Sequence, residues 1–445
     1  MNTPICDFVN SYIQSETLRL HMPGHKGEPL LGMEQYDITE IPGADSLYEA
    51  EGIIAQSEKN ASALFGCTTL YSAEGSSQCI KAMLHLALLW GRERGRKPVI
   101  AAGRNAHRAF LAGAALLDLE VMWIYPREGE SYLSCNISGE ELEALLGGAG
   151  EKPCALYITS PDYLGNTADI AALAAVCRRH EVLLLVDNAH GAYLRFLPES
   201  RFPVDLGADM CCSSAHKTLP VLTGGAYLHM GDTIPGGITA QAKNSLSLFG
   251  STSPSYLILQ SLDRANLYLE GYGEKLGGFI PMAEALRQRL TESGLVLYGD
   301  EPLKITVKTK PMGYPGTELA QMLWAEGIVS EFADPDHIVF MLTPQTGEAG
   351  LARLERALLA IRHRRIALPQ PPSFARGERI MSIRRAALAP MEMLPVRDCG
   401  GRVLAAASVG CPPAVPILVC GERIDDHAIA CFEYYGIDSC GVVKE

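Results

Sequence analysis

The chain has 445 residues, of which 47% are hydrophobic and 20% charged. That is enough apolar material for a large core, it excludes global disorder, and at roughly 100–200 residues per domain the length implies more than one domain. The formal net charge of −13 excludes the basic stripe with which nucleic-acid readers displace counterions from phosphates.

In chain order, residues 5–20 read as a short helix and 21–50 as an irregular Gly/Pro-rich segment containing His21-Met22-Pro23-Gly24-His25-Lys26-Gly27. Unstructured stretches of that length are usually functional or linkers. A helical pattern runs from Gly52 to Phe65, with Gly66 as its stop. Strands and helices then alternate. Strands are expected at Thr68–Tyr71, Pro98–Ala102, Val121–Tyr125, Ala155–Thr159, Val182–Val186 and Met210–Ser213. The intervening helices are Gln78–Trp90, Arg108–Leu117 and Ile170–His180. Apolar strands separated by helices predict a mostly parallel sheet covered on both faces, an α/β fold. After about residue 275 the texture changes. Helices at Met282–Ser293, Glu318–Glu326 and Gly350–His363, with short strands at Leu303–Val307 and Ile338–Leu342, predict a smaller α+β domain. The Pro-rich joint Leu368–Pro372 marks a boundary. The expected organisation is an arm over 1–50, a large domain over 51–275, a small domain over 276–368 and a C-terminal module over 373–445.

There are 13 cysteines. None lies in a CxxC, and Cys211 and Cys212 are adjacent, a pattern that suits neither a zinc site nor a disulfide framework. No metal is expected. The first residues lack a basic region followed by an apolar one, and no apolar run approaches the ~20 residues of a membrane span. A cytoplasmic protein with reduced thiols is the expectation.

Three places suggest chemistry. In Gly75-Ser76-Ser77 the glycine permits a sharp turn and the serines open a helix, where free N–H groups and the helix dipole favour an anion. An ordinary serine N-cap would look the same. In Asp187-Asn188-Ala189-His190-Gly191 a carboxylate and an imidazole follow a buried strand, at the edge where open α/β sheets bind ligands. A turn-capping Asp is the alternative. In Ser214-Ala215-His216-Lys217 a lysine follows another buried strand; desolvation makes such an amine a nucleophile able to condense with an aldehyde. A phosphate cup, an acid for a pyridine nitrogen and an amine for an aldehyde are together what pyridoxal phosphate requires.

These motifs, with Asp37-Ile38-Thr39-Glu40-Ile41-Pro42-Gly43, Arg104-Asn105-Ala106-His107-Arg108, Ser160-Pro161, Lys217-Thr218-Leu219-Pro220 and Ser253-Pro254-Ser255-Tyr256, resemble the fold-type-I pyridoxal-phosphate-dependent Orn/Lys/Arg decarboxylases. The tail, from Ala389-Pro390 through Cys411–Pro416 to Gly421-Glu422-Arg423-Ile424, is similar to that family's C-terminal module. The resemblance is to the shorter bacterial branch, without an N-terminal wing domain. It implies a transferase-like large domain with a seven-stranded-type sheet and decarboxylation of arginine, lysine or ornithine in the cytoplasm. It also implies a homodimer or higher homo-oligomer with shared active sites, with no nucleic-acid or membrane partner.

The resemblance also implies roles. Lys217 would join the cofactor aldehyde and Asp187 would face the pyridine nitrogen. His107 would stack on the ring and Ala189 would pack under it. Gly75, Ser76, Ser77, Ser214 and His216 would hold the phosphate. Ser251 and Thr252 would reach it from a neighbouring subunit, and His190 would line the site as a catalytic residue. The chain departs from the family pattern at Asn188, where Glu is usual, at Glu74 for Asn, at Gly224 for Gln and at Ser46 for Asp. Two other readings stay open: a transaminating or lyase reaction on the same fold, and a weakly active paralogue that binds the cofactor. Glu331, Asp334 and Asp336 are candidates to read a substrate's distal cation, against a plainer reading as solvated loop charges.

Overall fold

The computed structural model describes residues 1–127, 131–406, 408–411 and 415–444. Pro412–Ala414 of the tail motif lie outside the described residues. The large sheet has seven strands: β1 (Thr68–Ser72), β2 (Val99–Gly103), β3 (Glu120–Ile124), β4 (Ala155–Thr159), β5 (Leu183–Asp187), β6 (Met210–Ser213) and β7 (Ala226–Met230). Four helices matter for the site: α1 (Pro4–Gln14), α2 (Ile53–Phe65), α3 (Ser76–Arg92) and α4 (Arg108–Leu117). The fold is α/β with a mostly parallel large sheet, as expected.

Two compact units divide the chain, residues 1–95 with 170–275, and residues 96–169 with 276–445. In the first, four strands run in the order β1-β7-β6-β5. β5 and β6 are parallel, while β7 runs antiparallel to both its neighbours. The strands are buried because they are apolar on both faces, as a covered sheet demands. Leu184, Leu185, Val186, Cys211 and Cys212 are fully buried. α2 ends where Gly66 takes φ +72°, a left-handed cap that costs glycine nothing. Its start is held by Asp45, whose Oδ2 accepts the N–H groups of Gly52 at 2.8 Å and Ile54 at 3.0 Å. α1 stops at Gln14, six residues short of the expected end. Its first turn is anchored by buried Asp263, which accepts the Ile5 and Cys6 N–H groups at 3.0 Å each.

In the second unit β4-β2-β3 are all parallel. A separate antiparallel four-stranded sheet follows, formed by Val296–Tyr298, Lys304–Lys308, Phe332–Ala333 and His337–Met341. Two two-stranded sheets and the helix Asp426–Tyr434 close the chain. Their core joins Val396, Cys399, Leu404, Ile424, Phe432 and Val442. Among the described residues no helix is long and apolar enough to cross a membrane, and no group of three or more His, Cys, Asp or Glu could hold a metal.

Candidate active site

β5 and β6 end side by side, and their parallel register pairs Asp187 with Cys212. Asp187 is 3% exposed. A carboxylate there needs donors: its Oδ1 accepts the Ala189 N–H at 3.2 Å and the Cys212 thiol at 3.6 Å. Three residues on, His190 is equally buried, and its Nε2 lies 2.9 Å from Lys217 Nζ. Lys217 sits on the short helix Ala215–Thr218, which begins directly after β6. The two strand ends therefore bring an acid, an imidazole and an amine to one edge.

The anion cup is the first turn of α3. Gly75 precedes it with φ +70°, and no side chain caps the helix there. A Cβ at Gly75 would find only the Ser77 nitrogen, at 4.0 Å, so the approach is open. The Ser214 hydroxyl meets the Ser76 hydroxyl at 2.9 Å, linking the cup to the lysine segment. Gly75 N–H donates to Gly224 O at 2.7 Å. Gly224 has φ +101°, and a Cβ there would press on Ala73 O at 3.0 Å. The departure at Gly224 thus has a steric cause. The bond from Gly75 is a role that sequence could not reveal.

His216 turns toward the same loop. Its Nδ1 and its backbone N–H both meet Gly225 O, at 3.0 and 3.2 Å. Ala189 is buried and its carbonyl accepts Ser214 N–H at 3.2 Å. Ser251 donates its N–H to Glu74 Oε1 at 3.3 Å, so this loop meets the cup of its own chain, and Thr252 follows it, exposed. Asn188 points beneath the edge. Its Nδ2 donates to Ser213 Oγ at 3.0 Å, and its Oδ1 is buried with no hydrogen-bond partner. Ser213 Oγ is also 3.2 Å from His229 Nε2, and Thr69 Oγ1 is 3.0 Å from His229 Nδ1. Burial pushes the His229 pKa down to about 3, so the ring is neutral. Neither His229 nor its strand β7 was visible in the sequence reading.

His107 belongs to the second unit. It caps α4 after β2, its Nδ1 accepting the Ala109 N–H at 3.2 Å. The arginine of the same motif is structural. Arg104, 2% exposed, pairs with Glu422 at 2.9 Å and donates to Pro416 O at 3.1 Å and Ile417 O at 3.3 Å. Of the acidic candidates of the small domain, Asp334 and Asp336 are covered, while Glu331 is exposed. Asp334 is 2% exposed and accepts the His337 N–H at 2.6 Å. Asp336 pairs with Lys310 at 2.5 Å, and Glu331 accepts the Tyr163 hydroxyl at 3.3 Å. In the arm, His25 Nε2 lies 3.2 Å from Asp37 Oδ2 while its Nδ1 accepts the Gly27 N–H, so this loop folds on itself.

The first unit's donor set fits a phosphorylated pyridine aldehyde. It offers an amine beside an imidazole, a buried carboxylate at the same edge, and a hydroxyl pair at an uncapped helix start. Comparison with known proteins agrees. Residues 3–309 match the model of the Orn/Lys/Arg decarboxylase major domain. An arginine decarboxylase of Bacillus subtilis is 28% identical over 96% of this chain and 92% of its own length. An uncharacterized protein of the same organism is 28% identical over 96% and 93%. Among solved structures, the Francisella novicida lysine decarboxylase superposes with a TM-score of 0.79 at 15% identity, covering 99% of this chain and 81% of that one. The chain belongs to the Orn/Lys/Arg decarboxylase family and is a pyridoxal-phosphate-dependent amino acid decarboxylase of fold type I.

Proposed function

We propose that the chain decarboxylates arginine or lysine, in preference to ornithine, releasing CO₂ and the corresponding amine, with pyridoxal phosphate as its resident cofactor. The observation that carries this reading is the 2.9 Å contact of Lys217 Nζ with His190 Nε2 beside buried Asp187. The arginine decarboxylases among the full-length relatives support the choice of a basic substrate.

Each residue has a task that follows from its position. The helix start of α3, with the Ser76, Ser77 and Ser214 hydroxyls, would hold the phosphate, because free N–H groups open the helix and Ser214 meets Ser76 there. The Asp187 carboxylate, steadied by Ala189 N–H and the Cys212 thiol, would pair with the pyridine nitrogen of a bound cofactor and hold its proton. Lys217 supplies the amine that anchors the aldehyde. His190 Nε2, 2.9 Å from the Lys217 nitrogen, is placed to exchange a proton with it. Ala189 would offer a small surface under the ring. When bound, the cofactor supplies the sink for the electron pair released from the Cα–carboxylate bond. Orienting that bond is the protein's contribution.

A homodimer is part of the same proposal. Leu18, Leu20, Leu30 and Leu31 in the arm are each about four-fifths exposed, at 78, 81, 84 and 83%. A run of bare leucines marks an association surface, and a second copy is its occupant in this reading. Light scattering of the purified protein checks the mass.

The deciding experiment is a product screen. Purified protein supplied with pyridoxal phosphate is offered arginine, lysine and ornithine, and CO₂ and amine are measured. Agmatine or cadaverine is expected. Transamination products without CO₂ would replace decarboxylation with another reaction of the fold. Retained cofactor with no turnover on any amino acid would favour the weakly active paralogue.

A further inference from the structure

Glu74 stands immediately before the Gly75-Ser76-Ser77 turn, and its carboxylate is already engaged. Its Oε1 accepts the Ser251 N–H at 3.3 Å, and its own N–H donates to Ser72 Oγ at 3.1 Å. The segment around residue 250 is strapped to the start of α3 by a second path. Gln78 Nε2 donates to Leu246 O and to the Tyr48 hydroxyl, both at 2.8 Å. A side chain at Gly250 would lie 2.0 Å from that hydroxyl and 2.1 Å from Gln78 Nε2. Ser251 N–H is therefore held beside the cup. A carboxylate of the chain itself, on the residue just before the Gly75 turn, holds that N–H.

We propose that Glu74 is a built-in competitor of the cofactor phosphate. The proposal rests on the pyridoxal-phosphate reading above. Glu74 occupies one donor, and its negative charge stands at the entrance of a site meant for a second anion. Like charges close together raise each other's cost. The loop does not need the charge, because a neutral amide oxygen would accept the same Ser251 N–H. The charge therefore acts on the cofactor: it weakens phosphate binding and speeds exchange between free and loaded protein. Glu74 is a residue that sets cofactor affinity and takes no part in the bond-breaking step.

The test is the dissociation constant and release rate of pyridoxal phosphate, followed by its absorbance on the full-length protein. Wild type, Glu74→Gln and Glu74→Ala are compared at low salt and at about 0.5 M salt. Glu74→Gln keeps the acceptor and removes the charge. It is expected to bind about fivefold tighter and to release more slowly, the worth of one like charge a few Å away in water. The gain should shrink at high salt, where the Debye length contracts. Affinity in Glu74→Gln equal to or below wild type overturns the proposal. So does a weaker Glu74→Ala beside an unchanged Glu74→Gln, which would leave Glu74 only a loop acceptor. A wild-type protein that takes up no pyridoxal phosphate is a separate result, seen before any variant is made; it removes the cofactor reading and this proposal together.

Discussion

Both compact units bury charged side chains that pair within the chain, Glu58 with Lys243 in the first unit among them, but the first unit also gathers charged groups at a sheet edge. In the second unit the charges close on one another. Arg104 meets Glu422 and two backbone carbonyls. Lys304, 1% exposed, lies 2.7 Å from Glu301 and donates to Asp162 O at 3.0 Å. Lys310 meets Asp336. In the first unit Asp187, His190 and Lys217 collect at two strand ends beside an uncapped helix start, and Asn188 keeps a buried oxygen without a partner. A buried charge paired within the protein specifies how segments meet. A buried charge presented at a sheet edge has chemistry to do. Family motifs occur in both units, so motif membership alone does not separate the two kinds.

Substitutions can break this contrast. Lys217→Ala carries the largest effect. Turnover should fall by at least about 10⁴-fold, with the absorbance band of the lysine-anchored cofactor lost and the thermal midpoint nearly unchanged. Retained absorbance and turnover would remove Lys217 from the site. Arg104→Ala should do the reverse, because Glu422 would be left buried and alone. A loss of about 3–5 kcal/mol is expected in denaturant unfolding, and Arg104→Met with Glu422→Leu should regain most of it. A stable Arg104→Ala protein would mean that the pair is not structural. Asp187→Ala should keep some cofactor but lose about 10²–10³-fold in kcat. Near-normal turnover would count against its role at the pyridine nitrogen.

The smallest effect concerns His229. Its pKa in the folded chain is about 3, against an ordinary value of 6.5, because burial disfavours the charged ring. The unfolded chain therefore binds the proton first. The stability that His229 leaves intact above pH 6.5 is lost progressively as pH falls toward 3. The cost is about 1.4 kcal/mol at pH 5.5 and about twice that at pH 4.5. His229→Gln keeps hydrogen-bonding groups without the titration, so its unfolding free energy should fall less steeply over that window. Parallel pH profiles for the two proteins would place the acid sensitivity elsewhere.

The sequence made the sheet edge legible for a physical reason. Leu183–Val186 and Met210–Ser213 are short, continuously apolar runs bounded by polar residues, and β5 and β6 lie at Leu183–Asp187 and Met210–Ser213. The helix Arg108–Leu117 was also expected at the ends it has. β7 escaped because Ala226–Met230 carries a histidine as its fourth residue, and the burial of that ring depends on Thr69 and Ser213 from other strands. The helix Tyr256–Leu269 escaped because its first residue had been absorbed into a motif. The Arg104–Glu422 pair spans 318 residues, and no local pattern records a partner so remote. Asp334 and Asp336 looked like loop charges because sequence shows their neighbours along the chain but not the lysine, histidine and backbone N–H groups that cover them.

The bond from Gly75 N–H to Gly224 O joins two segments about 150 residues apart. One opens α3, where the proposal puts the phosphate, and the other follows Lys217. With Ser76 on Ser214, and the His216 backbone N–H on Gly225 O, the two segments form one caliper locked at a single setting. Its span cannot stretch without breaking these half-buried bonds. Movements that admit substrate or release product while these bonds hold lie in parts of the protein outside this caliper. A loop graft or chimera that exchanges only one of its two arms should lose cofactor even if every residue touching the cofactor is kept.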